Sequence, residues 1–198
     1  MVGNHALFLD RDGVINHDSG YTSNAKDFKF IDGIFDLCRA AKQSGYLLIV
    51  ITNQAGIGPG YYSEQEFFTL TEWMRERFTE EGAALTDVFH CPYHPEHGVG
   101  PYKIDSFNRK PHPGMLLQAA EKYGIDLEHS IMIGDKGSDM QAAKSAGVGG
   151  RCHYLTEGHL HGISNAATCK IHALREGVAL LDSPCKKVTS RQKRSNSE

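Results

Sequence analysis

The stretch that most constrains this chain is a short apolar run that ends in two carboxylates. Residues 6–9 have the length and apolarity of a buried strand, and Asp10, Asp12 and Gly13 follow at once. In an open α/β sheet, ligands bind at the carboxyl ends of the strands. Because side chains two residues apart on an extended chain point the same way, we expect both carboxylates to face one site. Such a pair suits Mg²⁺, which prefers oxygen ligands.

Length and composition predict one globular domain. The chain has 198 residues, of which 40% are hydrophobic, enough for one well-buried core but not for two. The net charge of -3 gives no general attraction to nucleic acid or acidic membranes. No apolar run reaches membrane-spanning length and the amino terminus lacks the regions of a secretory signal, so we expect a cytoplasmic protein. The five scattered cysteines fit reduced thiols.

The order of the apolar segments predicts an α/β fold with a doubly wound parallel sheet. A helix that opens at Gly33 separates the first strand from the apolar run 46–51, and the three form a βαβ unit. Between the first strand and this helix, residues 14–30 are expected to form a polar loop at the edge that carries the aspartates. Further strands are expected at 87–91, 130–133, 151–155 and 168–171.

A capping box, Ser63-Glu64-Gln65-Glu66, predicts the start of a long helix. Its buried stripe is expected at Phe67, Leu70, Met74 and Phe78.

The domain is expected to span residues 1–182, and residues 183–198 to form a disordered basic tail. Lysines and arginines alternate there with polar residues. A nucleic-acid-binding arm is the alternative, but the run is short and carries no interleaved aromatic residues.

Polar and charged side chains follow three of the predicted strands, and a lysine precedes a helix. They are Asp10 and Asp12, Thr52 and Asn53, Asp135 and Asp139, and Lys110. Any one of these endings alone is explained by an Asx-rich turn, but the set predicts a single site. Three converging acids repel one another strongly, so a divalent cation is required to hold them. The lysine supplies a point charge suited to phosphate.

These segments resemble the four motifs of the haloacid dehalogenase superfamily: Asp-x-Asp-Gly at 10–13, Thr-Asn at 52–53, Lys110, and Gly-Asp-x-x-x-Asp at 134–139. Longer segments, including Arg-Lys-Pro-His-Pro-Gly at 109–114, are similar to the heptose-1,7-bisphosphate 7-phosphatase family, whose near relatives are the histidinol-phosphate phosphatases. The resemblance covers residues 6 to about 156. It implies a magnesium-dependent phosphatase with a HAD-like fold, without a large cap domain, whose site is shielded only by loops.

The resemblance also implies the chemical roles of the matching residues. Asp10 would attack phosphorus and form an aspartyl-phosphate, and Asp12 would act as general acid and then as general base. Thr52 and Lys110 would hold the transferred phosphoryl group.

The remaining roles concern the metal and the substrate. Mg²⁺ would be held by Asp10, the backbone carbonyl of Asp12 and Asp135, while Asp139 would orient Lys110 or a metal-bound water. The substrate-binding set implied by the resemblance is Arg11, Asp18, Ser19, Gly20, Tyr21, Asn53, Gln54, Arg109 and Lys136.

One departure from the family pattern concerns zinc. Family members often hold a structural zinc with Cys, His and two further Cys, but here only Cys91 remains. Tyr93, Ser106 and Asn108 stand at the other three places and are poor zinc ligands, so we expect no structural zinc. A rebuilt site with nearby histidines is the weaker alternative: His90, His94 and His97.

The resemblance implies removal of the 7-phosphate of D-glycero-D-manno-heptose 1,7-bisphosphate. We expect a monomeric enzyme with small-molecule partners and no nucleic-acid or membrane partner. Histidinol phosphate is the alternative substrate. A phosphoacceptor module without turnover is the alternative of another class, and a phosphatase of nucleic-acid ends is a further one. Asp12, placed two residues after a nucleophile on the first strand, favours an enzyme over a phosphoacceptor module, and the acidic pI disfavours a nucleic-acid substrate.

Overall fold

Parallel strands form the central sheet in a computed structural model that describes residues 3–156 and 163–182. In these ranges the strands are β1 (Ala6–Leu9), β2 (Leu47–Asn53), β3 (Asp87–Cys91), β4 (Ile131–Gly134), β5 (Gly150–Tyr154) and β6 (Cys169–Ile171). Their order is β3-β2-β1-β4-β5-β6, and every neighbouring pair is parallel. The direction of winding therefore reverses between β1 and β4, and the predicted doubly wound sheet is confirmed.

Helices cover both faces of this sheet. They are α1 (Ile34–Gln43), α2 (Glu64–Glu80), α3 (Gly114–Tyr123) and α4 (Gly137–Ala146), with short 3₁₀ turns at Gly100–Tyr102 and Leu174–Leu180. Leu7 and Leu9 of β1 pack in the cluster with buried residues of α1 and α2, whereas Ala6 and Phe8 pack with α3 and α4. This alternation follows the two-residue period of a strand, and it explains why the strands are apolar throughout.

The strand register brings the predicted site residues to one edge. Leu9 aligns with Val50 of β2 and with Ile133 of β4. The backbone N–H of Asp10 then donates to the carbonyl of Ile133 at 3.1 Å. The residues that follow β1, β2 and β4 consequently leave the sheet side by side.

The segment between β1 and α1 differs from the polar loop that the sequence predicts. Val14 and Ile15 are fully buried, and the backbone N–H of Ile31 donates to the carbonyl of Ile15 at 2.9 Å. Gly13, with a φ of 100°, turns the chain back so that these apolar side chains reach the core. Within residues 14–30 the exposed residues come later, at 17–21 and at Asn24, Lys26, Asp27 and Lys29.

Among the helices in the described part of the chain, none combines the length and apolarity that a bilayer crossing requires. The basic tail predicted at 183–198 lies outside the described residues.

The amino end of α2 carries a capping box, and its contribution to stability can be measured. The predicted capping box is confirmed: Ser63 Oγ accepts from the N–H of Glu66 at 3.2 Å, and Glu66 Oε2 accepts from the N–H of Ser63 at 2.8 Å. We predict that Ser63→Ala lowers the free energy of unfolding by about 1 kcal/mol, because a backbone N–H of the first turn loses its partner. Denaturant titration measures this change. Ser63→Asp keeps an acceptor, so an equal loss in both variants would contradict the prediction.

Candidate active site

A buried lysine lies at the centre of the site. Lys110 Nζ pairs with Asp10 Oδ1 at 2.8 Å and with Asp139 Oδ1 at 2.6 Å, and it donates to the carbonyl of Ile51 at 2.8 Å. The ammonium group thus has an acceptor for each of its three protons. Burial by itself would lower the pKa of Lys110, but the carboxylates of Asp10 and Asp139 raise it above its usual value. Lys110 therefore stays protonated although it is buried.

Three carboxylates surround this lysine. Oxygen atoms of Asp10, Asp135 and Asp139 lie within 4.8 Å of one another. Burial raises the pKa of Asp10 to about 7, against the attraction of Lys110, and burial also raises the pKa of Asp135 to about 6. One ammonium group cannot compensate three carboxylates, and a set of hard oxygen donors fits Mg²⁺.

Within this cluster, Asp139 is already occupied by the protein. Its Oδ1 pairs with Lys110, and its Oδ2 accepts from the backbone N–H of Lys136 at 2.9 Å. The assignment of Asp10 and Asp135 as metal ligands stays a prediction, and Asp139 contacts Lys110 rather than open space.

Two glycines allow the acids to approach this closely. A Cβ atom at Gly13 would lie 2.2 Å from Asp135 Oδ2, and one at Gly134 would lie 2.3 Å from the Cβ of Asp139. Both distances are shorter than non-bonded atoms tolerate, so any larger residue would displace a carboxylate.

The carboxylates that lie within 4.8 Å of one another among the described residues do not include Asp12, and the expectation that Asp10 and Asp12 face one site stays a prediction. Asp12 Oδ2 instead accepts from Arg11 Nη2 at 2.9 Å and from Gln54 Nε2 at 3.0 Å, and Oδ1 accepts from Asn16 Nδ2 at 3.1 Å. A role for the backbone carbonyl of Asp12 as a metal ligand stays a prediction.

The side chain of Arg11 is buried, whereas the predicted contact with substrate requires an exposed side chain. Its side chain is only 2% exposed. The guanidinium group holds the carboxylate of Asp12 and donates to the carbonyl of Thr22 at 3.0 Å. In this structure Arg11 therefore supports Asp12 from the interior.

Gln54 and Thr52 belong to the same network. Gln54 Nε2 donates to Thr52 Oγ1 at 2.8 Å as well as to Asp12, and Gln54 Oε1 accepts from the hydroxyl of Tyr62 at 2.6 Å. Gln54 is buried, so it links two predicted catalytic residues rather than facing solvent. Tyr62 is a supporting residue that the sequence did not indicate.

Asn53 fixes the backbone of Lys110. Its Nδ2 donates to the carbonyl of Lys110 and its Oδ1 accepts from the N–H of Lys110, both at 3.0 Å. This double contact joins the end of β2 to the segment before α3. Asn53 thus positions the lysine in the structure, whereas the sequence predicts a contact with substrate.

The other predicted substrate-binding residues lie at the rim. Lys136 Nζ pairs with Asp18 Oδ2 at 3.0 Å. Burial by itself would raise the pKa of Asp18, but contact with Lys136 lowers it below its usual value. This carboxylate therefore stays ionised. The exposed residues Ser19, Gly20 and Tyr21 follow Asp18. The ring of Tyr21 lies 4.5 Å from the ring of Tyr61, between ring centroids.

Arg109 and the positions that hold zinc in other family members lie at the end of β3 and in the loop between β3 and α3. Arg109 Nη1 donates to the carbonyl of Tyr93 at 3.2 Å. The thiol of Cys91 hydrogen-bonds with Ser106 and with the backbone of Tyr93. These contacts support the loop between β3 and α3, and the absence of a structural zinc stays a prediction.

His153, which the sequence did not single out for any role, supports Asp135. Its Nδ1 accepts from the N–H of Ser164 at 3.2 Å, so Nε2 carries the proton that reaches the carbonyl of Asp135 at 3.0 Å. The spacing of the histidines alone could not reveal this contact, because it depends on the pairing of β4 with β5. Two other histidines of that region, His159 and His161, lie outside the described residues.

Known proteins are similar to this chain in sequence. The chain is 50% identical over 181 residues to D-glycero-alpha-D-manno-heptose-1,7-bisphosphate 7-phosphatase of Burkholderia mallei, covering 91% of this chain and 95% of that protein. It is 49% identical over 144 residues to the corresponding beta-named phosphatase of Vibrio cholerae, covering 73% and 77%. The chain belongs to the heptose-1,7-bisphosphate 7-phosphatase family. Residues 107–157 also match the HAD-hydrolase-like family model.

Solved structures share the fold of this chain. A candidate HAD-like phosphatase from Mesorhizobium loti superposes with a TM-score of 0.81 at 33% identity, over 94% of this chain and 90% of that one. D,D-heptose 1,7-bisphosphate phosphatase from B. bronchiseptica, complexed with magnesium and phosphate, superposes with a TM-score of 0.76 at 24% identity, over 89% and 97%. The latter likeness shows the shared fold.

The raised pKa values of Asp10 and Asp135 predict how Mg²⁺ stabilises the protein. Between about pH 4 and pH 7, the folded metal-free protein holds protons that the unfolded chain has released, so its free energy of unfolding falls as the pH rises. Mg²⁺ competes with these protons for the same carboxylates. We predict that Mg²⁺ raises the midpoint of thermal unfolding more at about pH 8 than at about pH 5.

The matched variants for this measurement are Asp135→Asn and Asp105→Asn. Asp135→Asn removes a carboxylate of the cluster and should abolish the stabilisation. Asp105 is exposed on the loop before α3, and its substitution should leave the stabilisation intact. An equal effect of Mg²⁺ at both pH values would contradict the assignment of Asp10 and Asp135 as its ligands.

Proposed function

We propose that this chain is a magnesium-dependent phosphatase that removes the 7-phosphate of D-glycero-D-manno-heptose 1,7-bisphosphate through an aspartyl-phosphate intermediate. The observation that carries the chemistry is the buried cluster of Asp10, Asp135 and Asp139 around Lys110. The substrate follows from membership of the family and from relatives that match most of the chain.

Asp10 is the proposed nucleophile. One of its carboxylate oxygens forms a bond to phosphorus while the bond between phosphorus and the O7 atom of the sugar breaks. An anionic nucleophile approaches a phosphate dianion only when nearby positive charge reduces their repulsion. Lys110 supplies one such charge, and Mg²⁺, when bound by Asp10 and Asp135, supplies the rest and polarises the phosphoryl oxygens.

Asp12 is the proposed general acid and base. It gives a proton to the departing O7 atom, and it then accepts a proton from the water that attacks the aspartyl-phosphate and releases inorganic phosphate. Arg11, Asn16 and Gln54 hold its carboxylate in one place, which limits the reorganisation that each proton transfer requires. Thr52, linked to the same network by Gln54, is proposed to hold the phosphoryl group together with Lys110.

The residues at the rim are proposed to contact the sugar. Asp18, Ser19, Gly20 and Tyr21 form one exposed side of the site, and Lys136 pairs with the first of them. Arg109 is proposed as a contact from the opposite loop. The small bisphosphate sugar is the proposed partner of a monomeric, cytoplasmic enzyme that binds neither nucleic acid nor membranes.

The substrate is tested by phosphate release in the presence of Mg²⁺. We predict rapid release from one or both anomers of D-glycero-D-manno-heptose 1,7-bisphosphate, and much slower release from histidinol phosphate and from an aryl phosphate. The sugar is favoured because its second phosphate adds binding energy that a monophosphate lacks. Equal rates for all four compounds would contradict the proposed substrate while leaving the phosphatase chemistry in place.

The covalent mechanism is tested by two substitutions two residues apart. We predict that Asp10→Asn lowers kcat on the order of a thousandfold or more, because the amide cannot act as the nucleophile. Asp12→Asn keeps the nucleophile but slows hydrolysis, so incubation with substrate should leave a phosphorylated chain that intact-mass measurement detects. Near-normal activity of Asp10→Asn, or a phosphorylated Asp10→Asn chain, would exclude the proposed intermediate.

A further inference from the structure

Two cysteine side chains meet where β5 pairs with β6. Cys152 and Cys169 are register partners in this parallel pair, and their thiols are hydrogen-bonded to each other. Both thiols are free, and both pack in the core cluster that contains the buried side chains of α1. The chemical step described above uses neither of them.

The strand pairing brings the two cysteines within reach of a disulfide bond. Neighbouring strands of a sheet lie about 4.8 Å apart, and the Cα atoms of disulfide-bonded cysteines are usually about 4.4 to 6.8 Å apart. The contact between the thiols shows that both side chains point to the same face of the sheet. In the described sheet β6 is the last strand of the order, so it can shift toward β5 without disturbing a further strand.

The two thiols differ in reactivity. Cys169 is half-buried, whereas Cys152 has no exposed surface. The hydrogen bond with Cys152 lowers the pKa of Cys169 against the effect of burial, and Thr168 and Arg151 act in the same direction. The same contact, together with burial, raises the pKa of Cys152. Because the thiolate is the reactive form, Cys169 is the thiol that an oxidant meets first.

The other described cysteines lack this arrangement. Cys38 and Cys91 are both buried. Burial raises the pKa of Cys38 to about 12, and burial also raises the pKa of Cys91. In the described part of the chain neither of them is hydrogen-bonded to a second thiol. Cys185 lies outside the described residues.

We propose that Cys152 and Cys169 form a site of reversible oxidation, at which hydrogen peroxide converts their two thiols into a disulfide bond. The thiolate of Cys169 attacks one peroxide oxygen and breaks the O–O bond, which leaves a sulfenic acid on Cys169 and releases hydroxide that takes up a proton. The sulfur of Cys152 then attacks the sulfur of Cys169. The S–O bond breaks, and the hydroxide leaves with the proton of Cys152 as water. In sum, two thiols and one peroxide give one disulfide and two molecules of water.

The disulfide has two consequences for the protein. It joins β6 covalently to β5 and closes the connecting segment into a loop. It also consumes the sulfenic acid before a second peroxide reaches it, so Cys169 is protected from irreversible oxidation. A thiol reductant restores the original pair. The proposal does not depend on which phosphate ester the protein hydrolyses.

Limited oxidation of the full chain, followed by peptide mapping without reductant, tests the proposal. We expect one equivalent of hydrogen peroxide to remove two thiols per chain and to link the peptides that contain Cys152 and Cys169, and we expect dithiothreitol to restore both thiols. Alkylation at intervals should show that Cys169 loses its thiol about tenfold or more faster than Cys91, because Cys91 is buried and its pKa is raised. Cys152→Ala should instead accumulate a sulfenic acid at Cys169 that a 1,3-dione probe labels.

Matched variants separate the possible outcomes. Cys38→Ala removes a buried cysteine of the same core cluster and should leave the link unchanged. Cys185→Ser should also leave it unchanged. If the link joins Cys169 to Cys185, or if Cys169 is oxidised to a sulfonic acid without forming a link, the proposal is wrong. If Cys152→Ala fails to fold, the peptide map of the unsubstituted chain still decides the question, since a link between Cys152 and Cys169 either forms or does not.

Discussion

The pairing of one buried ammonium group with two buried carboxylates holds this site together. Lys110 reaches Asp10 after β1, the carbonyl of Ile51 in β2, and Asp139 in α4, so one side chain connects the ends of three segments. Removing charges from water is costly, and the cost is offset only where every charge is paired and every proton has an acceptor. Such a cluster adds little to stability, but it concentrates charge where a phosphoryl group must be bound. The glycines at 13 and 134 are required for the same reason, because only they leave room for the carboxylates.

Two aspartates that are nearly adjacent in sequence have different environments, and these environments support different roles. Burial raises the pKa of Asp10 to about 7 although Lys110 lies beside it, so this carboxyl group needs a second cation nearby to be fully ionised at neutral pH. Asp12 lies among hydrogen-bond donors from Arg11, Asn16 and Gln54 instead. Separate surroundings for two carboxyl groups are a common way to assign one to nucleophilic attack and the other to proton transfer. Only one residue separates these aspartates, yet their side chains contact different neighbours.

The sequence predicted those features that depend on local patterns. The predicted strands match, within two residues at each end, the six strands that the described residues form, and Asp10, Lys110, Asp135 and Asp139 lie together as expected. The roles of Gln54 and Asn53 were not predictable in this way. Gln54 meets Asp12 across 42 positions and Asn53 meets Lys110 across 57, and such contacts depend on side-chain directions after a strand has ended. The burial of the Arg11 guanidinium group was not predictable either, because an exposed loop and a turn packed on the core have similar sequences.

Buried charges and exposed polar side chains lie at the ends of different strands of this sheet. The ends of β1 and β4 and the segment before α3 supply the buried charges, whereas the ends of β5 and β6 supply part of the wall of a cavity whose two histidines are exposed. Buried charges tolerate little change, because a lost partner leaves an uncompensated ion, but exposed residues can change at small cost to stability. Residues on this exposed wall can therefore change without disturbing the buried ion pairs of Lys110.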